Sequence, residues 1–306
     1  MFPSFYHPEQ VGSLYVPDTA AAVHAGRAMN LNPASDAKVR TIVILVDPQV
    51  DFVHADGMLS VPGAVEDTRR VIEWIFRNMG RITTISASLD SHVPVQIFFP
   101  AWWVDVEGKH PEPNTVIRAD DVEAGMWTPL YEVVWSRAYV ENLEKYSKKE
   151  LMIWPYHTLI GTLGHAITPA LYEAIACHAA ARQTQPIFLE KGMIPKTEYY
   201  SMLEPEVKVP DHTMGELNIS FLNMLKSYDL IYVAGQAKSH CVLETVTSIV
   251  RYFADEPSVL QKLRILQDCM SSVVHPTIDF EALATKAFRK HAEKGLQLVD
   301  SSMPVR

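Results

Sequence analysis

Six short apolar runs, each followed by turn residues, dominate the pattern of hydrophobic and polar positions along this chain. The first, TIVILVD (41–47), is continuous and rich in β-branched residues. Such a run is typical of a parallel strand that is buried on both faces. The other five runs, which also predict strands, are RITTISASL (81–89), PIFLE (186–190), DLIYVAG (229–235), LRILQD (263–268) and GLQLVD (295–300).

Segments with helical periodicity lie between these runs. In the segment 65–78, four apolar residues recur at helical spacing with charged residues on the opposite face: Val71, Ile72, Trp74 and Ile75. Similar patterns predict helices over 216–228, 242–253 and 279–293. Strands that alternate with helices predict a three-layer α/β/α fold with a six-stranded, mostly parallel, doubly wound sheet.

Two segments lie outside this alternation. Residues 1–38 contain proline and many alanines and have no strand pattern, so we expect an N-terminal extension, with a short helix over Thr19 to Met29, ahead of a single domain at 39–306. Residues 93–153, approximately, contain four of the six tryptophans and no repeat. This insertion is too long for a bare loop and predicts a lid or an oligomer contact.

Composition narrows the classes of function. The 306 residues carry a formal net charge of -9 with a pI near 5.7, which argues against a nucleic-acid-binding surface. Three cysteines are too few and too scattered for a disulfide framework, which favours a reducing, cytoplasmic setting. The N-terminal residues do not resemble a signal peptide, and no apolar run is long enough to predict a membrane span.

Ligands of a doubly wound sheet bind at the carboxyl ends of its strands, where three reactive residues stand. Asp47 ends the first strand. Partial burial there would raise the pKa of its carboxyl group enough for it to accept a proton. The alternative role is a helix or turn cap, and Asp51 is a second candidate for either role. Lys191 follows the third strand and would stabilise a thiolate, although most such lysines are solvated; Lys196 is the second choice. Cys241 starts the helix after the fourth strand.

The start of a helix lowers the pKa of a thiol, and its free N–H groups stabilise an oxyanion. For Cys241 the alternative is a small buried hydrophobic residue, which is how we interpret Cys177 and Cys269.

Asp90 and His92 end the second strand with a spacing that points both side chains to one side of an extended backbone. With His157 they would make two imidazoles and one carboxylate, a set that suits zinc, iron or manganese with positions open for water or substrate. A hydrogen-bonded turn is the alternative interpretation of this short motif.

Five motifs lie at successive strand ends and are, in chain order, LVDPQVDF, SLDSH, WPYHTLIGTLG, EKG and AGQAKSHCV. Together they resemble the nicotinamidase branch of the isochorismatase-like cysteine hydrolases. The resemblance covers about residues 40–300 apart from the insertion. It implies a catalytic triad of Asp47, Lys191 and Cys241, and a divalent metal, zinc or else iron or manganese, bound by Asp90, His92 and His157.

The resemblance also implies an oxyanion hole and a substrate pocket. The oxyanion hole would use backbone N–H groups of Ala237 and Cys241 beside a cis peptide at Gln236. The aromatic residues at the positions that stack on substrate are Phe52, Trp154 and, less certainly aligned, Tyr200; core packing is their alternative. Four residues depart from the family pattern and leave the substrate open: Thr158, Gln236, Lys238 and Ser239.

The reaction that the resemblance implies is hydrolysis of a small carboxamide to acid and ammonia through a thioester, with nicotinamide as the favoured substrate. One alternative is a related cysteine hydrolase that acts on another small amide or a carbamoyl compound. Another is a noncatalytic binding protein that retains the fold. The resemblance further implies a homo-oligomer. The acidic charge and the lack of a long apolar run predict neither a nucleic-acid nor a membrane partner.

Overall fold

The computed structural model describes residues 2–210 and 212–305. Within them the strands are β1 (Thr41–Val46), β2 (Thr84–Asp90), β3 (Trp103–Val104), β4 (Val116–Ile117), β5 (Thr128–Pro129), β6 (Leu151–Met152), β7 (Ile187–Lys191), β8 (Leu230–Gly235), β9 (Leu263–Leu266) and β10 (Gln297–Val299). The helices are α1 (Thr19–Ala28), α2 (Val50–Val53), α3 (Ala64–Arg77), α4 (Ala119–Glu123), α5 (Val133–Asn142), α6 (Pro169–Arg182), α7 (Ile219–Leu225), α8 (Leu243–Tyr252), α9 (Pro257–Leu260) and α10 (Phe280–Ala292).

Six strands form one parallel sheet in the order β10-β9-β8-β1-β2-β7. β1 is buried along its whole length because alternate residues enter different cores. Val43 and Leu45 pack with α3 and α6, whereas Ile42 and Ile44 pack with α7, α8 and α10. The predicted three-layer α/β/α fold with a six-stranded parallel sheet is confirmed.

Several element boundaries differ from the sequence prediction by one to three residues, and for two of them the local contacts give the reason. β2 begins at Thr84 instead of Arg81, because the carbonyl oxygen of Ile82 accepts hydrogen bonds from side chains of α6. α7 begins at Ile219 because the side chain of Asn218 caps it, accepting a hydrogen bond from the third residue of the helix. Lys191 is the last residue of β7, paired with Asp90, and does not follow the strand.

The insertion forms a packed layer of its own. β3 pairs with β5 and β4 pairs with β6, both antiparallel, and an apolar cluster joins these pairs to α5. Trp102 and Trp103 are buried in this cluster, and their indole N–H groups donate to Ser136 and to the carbonyl oxygen of Ile97. Buried tryptophans with satisfied N–H groups help to hold this long segment as a packed layer.

The N-terminal residues pack on the outer face of α6. The backbone N–H of Asp18 and the hydroxyl of Tyr15 both donate to the carboxylate of Glu173. Gly26 in α1 contacts the backbone of α6 so closely that a Cβ atom would collide with the carbonyl oxygen of Cys177. Among the described residues, no helix combines the length and apolar character needed to cross a membrane.

Candidate active site

Asp47, Lys191 and Cys241 meet at the carboxyl edge of the central sheet because β8, β1, β2 and β7 are neighbours in it. The Lys191 Nζ atom lies 3.1 Å from Asp47 Oδ2 and 3.7 Å from Cys241 Sγ. Lys191 also donates to Asp90 Oδ1 at 2.8 Å and to the carbonyl oxygen of Tyr199 at 2.7 Å. The lysine therefore connects the acid, the thiol and a fourth polar residue.

Burial decides the charges in this group. All three side chains are almost inaccessible: Asp47 is 0%, Lys191 1% and Cys241 7% exposed. Burial lowers the pKa of Lys191, but the charges of Asp47 and Asp90 outweigh this and hold that pKa well above its ordinary value. Lys191 is therefore a buried cation.

The pKa of Cys241 differs from the sequence expectation. Cys241 lies in a π-helical turn, Lys238–Val242, that precedes α8, and burial raises the pKa of its thiol well above the ordinary value although Lys191 opposes this. Burial outweighs the position at the start of a helix, which by itself favours a thiolate. Burial also raises the pKa of Asp47, opposed by Lys191. A protonated thiol thus stands beside a carboxyl group of raised proton affinity, the pairing that proton exchange needs.

The alternative candidates lie away from this group. Asp51 accepts a hydrogen bond from the backbone N–H of Thr158 at 2.7 Å and so fixes the loop after His157. Lys196 places its Nζ over an indole ring of the insertion. Cys177 is buried in α6, and Cys269 is buried just after β9, both in the apolar core between the sheet and α3.

Asp90, His92 and His157 form one cluster of buried ligand atoms, which lie within 4.8 Å of one another. Asp90 Oδ2 is 2.9 Å from His92 Nε2 and 3.7 Å from His157 Nε2. Each imidazole makes a hydrogen bond through Nδ1 to a backbone carbonyl, of Gly192 and of Pro155 respectively. With Nδ1 donating, both Nε2 atoms are free to bind a metal, and this is the outer-shell arrangement usual for metal-binding histidines.

Gly192 lies so close to the cluster that no side chain fits at this position. Gly192 has φ +80°, and a Cβ atom there would approach Asp90 Oδ1 to 2.6 Å and His92 Cε1 to 2.7 Å. His92 Nε2 is buried and makes no hydrogen bond to any described residue. Its nearest polar neighbour is Asp90 Oδ2, at 2.9 Å. An unsatisfied buried imidazole nitrogen facing a carboxylate fits a divalent cation.

The peptide bond between Gln236 and Ala237 is cis, as the family resemblance implies. The Gln236 side chain donates to Asp67 Oδ2 at 3.0 Å and accepts from the N–H of Ser271 at 3.3 Å. The carbonyl oxygen of Ala237 accepts from the N–H groups of His240 and Val242, which shapes the turn that carries Cys241.

A small cavity of about 30 Å³ adjoins the sulfur. Its lining includes apolar and polar residues and consists of Phe52, Leu59, Val61, Asp90, Trp154, His157, Glu198, Tyr200, Ala237, His240, Cys241 and Val273. The three predicted aromatic residues are therefore all at the cavity. This volume is about that of one water molecule, so binding of a larger ligand requires a wall to move.

Two polar residues of the lining were missed in the sequence. Glu198 accepts hydrogen bonds from Trp154 Nε1 and from the N–H of Tyr199, and burial raises its pKa to about 7. His240 lies 5.5 Å from the Trp154 ring, and burial lowers its pKa to about 4. The position of His240 next to Cys241 was a usable signal, whereas nothing in the sequence marks Glu198.

No protein-family model and no curated protein matches this sequence. Solved structures do match it. The Acinetobacter baumanii nicotinamidase and pyrazinamidase has a TM-score of 0.55 at 18% identity, covering 87% of this chain and 98% of its own. The yeast nicotinamidase bound to the inhibitor nicotinaldehyde has a TM-score of 0.56 at 16% identity, covering 85% and 99%. PnC1 from L. infantum in complex with nicotinate has a TM-score of 0.53 at 17% identity, covering 88% and 96%.

The chain therefore has the three-layer α/β/α fold of these solved structures. They include nicotinamidases from Acinetobacter baumanii and from yeast. At these identities the likeness establishes the fold, and the reaction has to be argued from the residues of the site.

Proposed function

We propose that this chain is a cysteine-nucleophile amidohydrolase that converts nicotinamide to nicotinate and ammonia. The observation that carries the proposal is the position of Cys241 Sγ, at the wall of a cavity and 3.7 Å from a buried lysine that also contacts Asp47. A sulfur, a carboxyl group and a fixed cation in mutual contact are the parts that nucleophilic catalysis by cysteine requires.

In the first half-reaction Asp47 takes the proton of the Cys241 thiol, and the sulfur bonds to the carbonyl carbon of the amide. The carbonyl oxygen becomes an oxyanion, which accepts hydrogen bonds from the N–H groups of Ala237 and Cys241. The C–N bond then breaks, and the nitrogen leaves as ammonia with the proton from Asp47. Lys191 keeps the charge of the group balanced throughout.

In the second half-reaction water attacks the thioester, Asp47 accepts a proton from that water, and the C–S bond breaks to release the acid. The thiolate of Cys241 then takes the proton back, so that one amide and one water yield one carboxylic acid and one ammonia. The same acid–base residue serves both halves because it stays in contact with Lys191.

A divalent metal, with zinc as the first choice, would be held by Asp90, His92 and His157. When bound it would supply Lewis acidity for a nitrogen or oxygen ligand at the edge of the cavity. Phe52, whose ring lies 5.5 Å from the ring of His157, would form one apolar face for the substrate ring.

The test is ammonia release from nicotinamide by the purified protein supplied with zinc, compared with Cys241→Ala. We expect turnover by the unmutated protein, a loss of at least about 10³-fold in Cys241→Ala, and an acyl adduct on Cys241 that intact-mass analysis detects after rapid quenching. Cys177→Ala is the matched control, because that thiol lies in the core remote from the cavity.

A panel of other small amides and carbamoyl compounds separates the substrate from the chemistry. Turnover of another panel compound without nicotinamide would retain the mechanism and replace the substrate. If zinc-loaded protein releases ammonia from none of them, the proposal of an amidohydrolase is wrong.

A further inference from the structure

One wall of the cavity beside Cys241 comes from an irregular surface segment. Val273 lies between β9 and α10, is partly buried, and packs against the apolar cluster of Phe52, Val61 and Ala237. The next residue, Val274, is 72% exposed. The segment therefore directs one valine inward and its neighbour outward.

The outer side of the same segment borders a second, open space. A surface groove of about 680 Å³ is lined by Pro62, Lys238 and the residues from Met270 to Glu281. Among the described residues, Val273 alone lines both this groove and the cavity beside the sulfur. Its side chain therefore lies between the cavity and a groove open to solvent.

Three hydrogen bonds hold this segment against the turn that carries the cysteine. The N–H of Ser271 donates to the Gln236 side chain at 3.3 Å, and the N–H of Lys238 donates to the carbonyl oxygen of Ser271 at 2.7 Å. The N–H of Val273 itself donates to Ser239 Oγ at 3.1 Å. Gln236, Lys238 and Ser239 are three of the four residues that depart from the family pattern.

An ion pair extends this attachment to α10. Lys238 Nζ contacts Glu281 Oε1 and lies 3.1 Å from the hydroxyl of Thr285, while Ser272 Oγ donates to Glu281 Oε2 at 2.7 Å. The segment that carries Val273 is therefore held by contacts with the cysteine turn and with α10.

We propose that Val273 is a specificity-determining residue that sets how large an acyl group reaches Cys241; the substrate part of this inference rests on the proposed function. A cavity that accommodates a benzene molecule measures about 150 Å³, several times the space present here. Val273 is the wall whose replacement by a smaller residue joins the cavity to the groove. Substrates with an additional fused ring enter that extra space.

The experiment compares Val273→Ala with Val274→Ala, its exposed neighbour, and with Val273→Leu. The substrates are nicotinamide and quinoline-3-carboxamide, which adds a fused ring to the same amide. We expect Val273→Ala to raise the ratio of kcat/KM for the larger to the smaller amide by about 10-fold to 200-fold, the usual range for apolar pocket contacts. Val273→Leu lowers the same ratio, and Val274→Ala leaves it unchanged.

A second readout needs no amide hydrolysis. Rates of alkylation of Cys241 by iodoacetamide and by N-phenyliodoacetamide are followed by mass spectrometry of the peptide that contains Cys241. We expect the ratio of the bulky to the small reagent to rise in Val273→Ala, to fall in Val273→Leu and to stay constant in Val274→Ala.

The two readouts separate failure of this inference from failure of the proposed function. If no variant hydrolyses either amide but the alkylation ratios change as expected, the boundary role of Val273 stands and the proposed reaction is wrong. If folded variants at position 273 show the same alkylation ratio as Val274→Ala, Val273 does not limit access and the inference is overturned, whatever the hydrolysis shows. Circular dichroism confirms that each variant is folded.

Discussion

The buried imidazole of His178 makes the stability of the fold depend on pH. His178 lies in α6, is 2% exposed, and its Nε2–H group donates to the carbonyl oxygen of Ile82 at 3.1 Å. Burial lowers the pKa of His178 to about 4, against an ordinary value of 6.5, and the nearby charge of Arg182 acts in the same direction. The native state therefore keeps this histidine neutral at pH values where the unfolded chain protonates it.

The sign and size of the effect follow from proton linkage. Between pH 6.5 and pH 4 the unfolded state binds a proton that the native state does not, so the free energy of unfolding falls as the pH falls. The full difference of 2.5 pKa units corresponds to about 3 kcal/mol, of which about 2.5 kcal/mol is already lost at about pH 4.5. Above about pH 7.5 this histidine makes almost no pH-dependent contribution.

The perturbation is His178→Gln, because glutamine does not titrate and its amide can still donate to the carbonyl oxygen of Ile82. Urea unfolding at about pH 7.5 and about pH 4.5 gives the loss of stability for each protein. We expect the loss to be about 2.5 kcal/mol smaller in His178→Gln than in the unmutated protein. His24→Gln is the control, because His24 is exposed and should leave the loss unchanged.

Other buried histidines also destabilise the fold in acid, and the comparison between variants removes their contribution. If His178→Gln loses as much stability on acidification as the unmutated protein, the imidazole is protonated in the native state. The account of a neutral, buried His178 would then be wrong.

Two further predictions concern packing and the metal. Gly26→Ala should destabilise the fold by about 1–3 kcal/mol in urea unfolding, because the added methyl group collides with the carbonyl oxygen of Cys177. At a helix position with free space, alanine is more stable than glycine, so a stabilised variant would contradict this prediction. Protein treated with a chelator should bind one zinc ion per chain in a zinc titration followed by elemental analysis, and His157→Ala should bind it at least about 100-fold more weakly; equal affinity would remove His157 from the site.

The central sheet was predictable because burial on both faces requires continuous apolar runs, and such runs are visible without knowledge of their partners. The same logic led to Asp47, Lys191 and Cys241: parallel strands align their carboxyl ends, so reactive residues at those ends come together. The order of the motifs added a metal site made of Asp90, His92 and His157. The roles of these three residues and of the three above stay predictions.

Features that depend on packing between distant segments were not predictable. The raised pKa of Cys241 follows from burial, and residues from distant parts of the chain, Val273 among them, line the cavity beside its sulfur. Glu198 is polar and lies in a loop, so it has the sequence character of a solvated residue; only the packing of Trp154 and Tyr199 around it makes it a buried acid. The packing of the insertion likewise depends on hydrogen bonds from its tryptophans to residues that the sequence does not mark.

Because the strand order is β10-β9-β8-β1-β2-β7, the site forms only when the central strands of the sheet have paired. Asp47 and Cys241 are distant in the chain, and they become neighbours only when β1 pairs with β8, a contact of long sequence separation that pays a large loop-closure entropy. No local folding unit contains the acid, the cation and the sulfur together. Cleavage of the chain anywhere between β1 and β8 would therefore place the acid and the thiol on different fragments, and any remaining activity would show that the two fragments stay associated or reassemble.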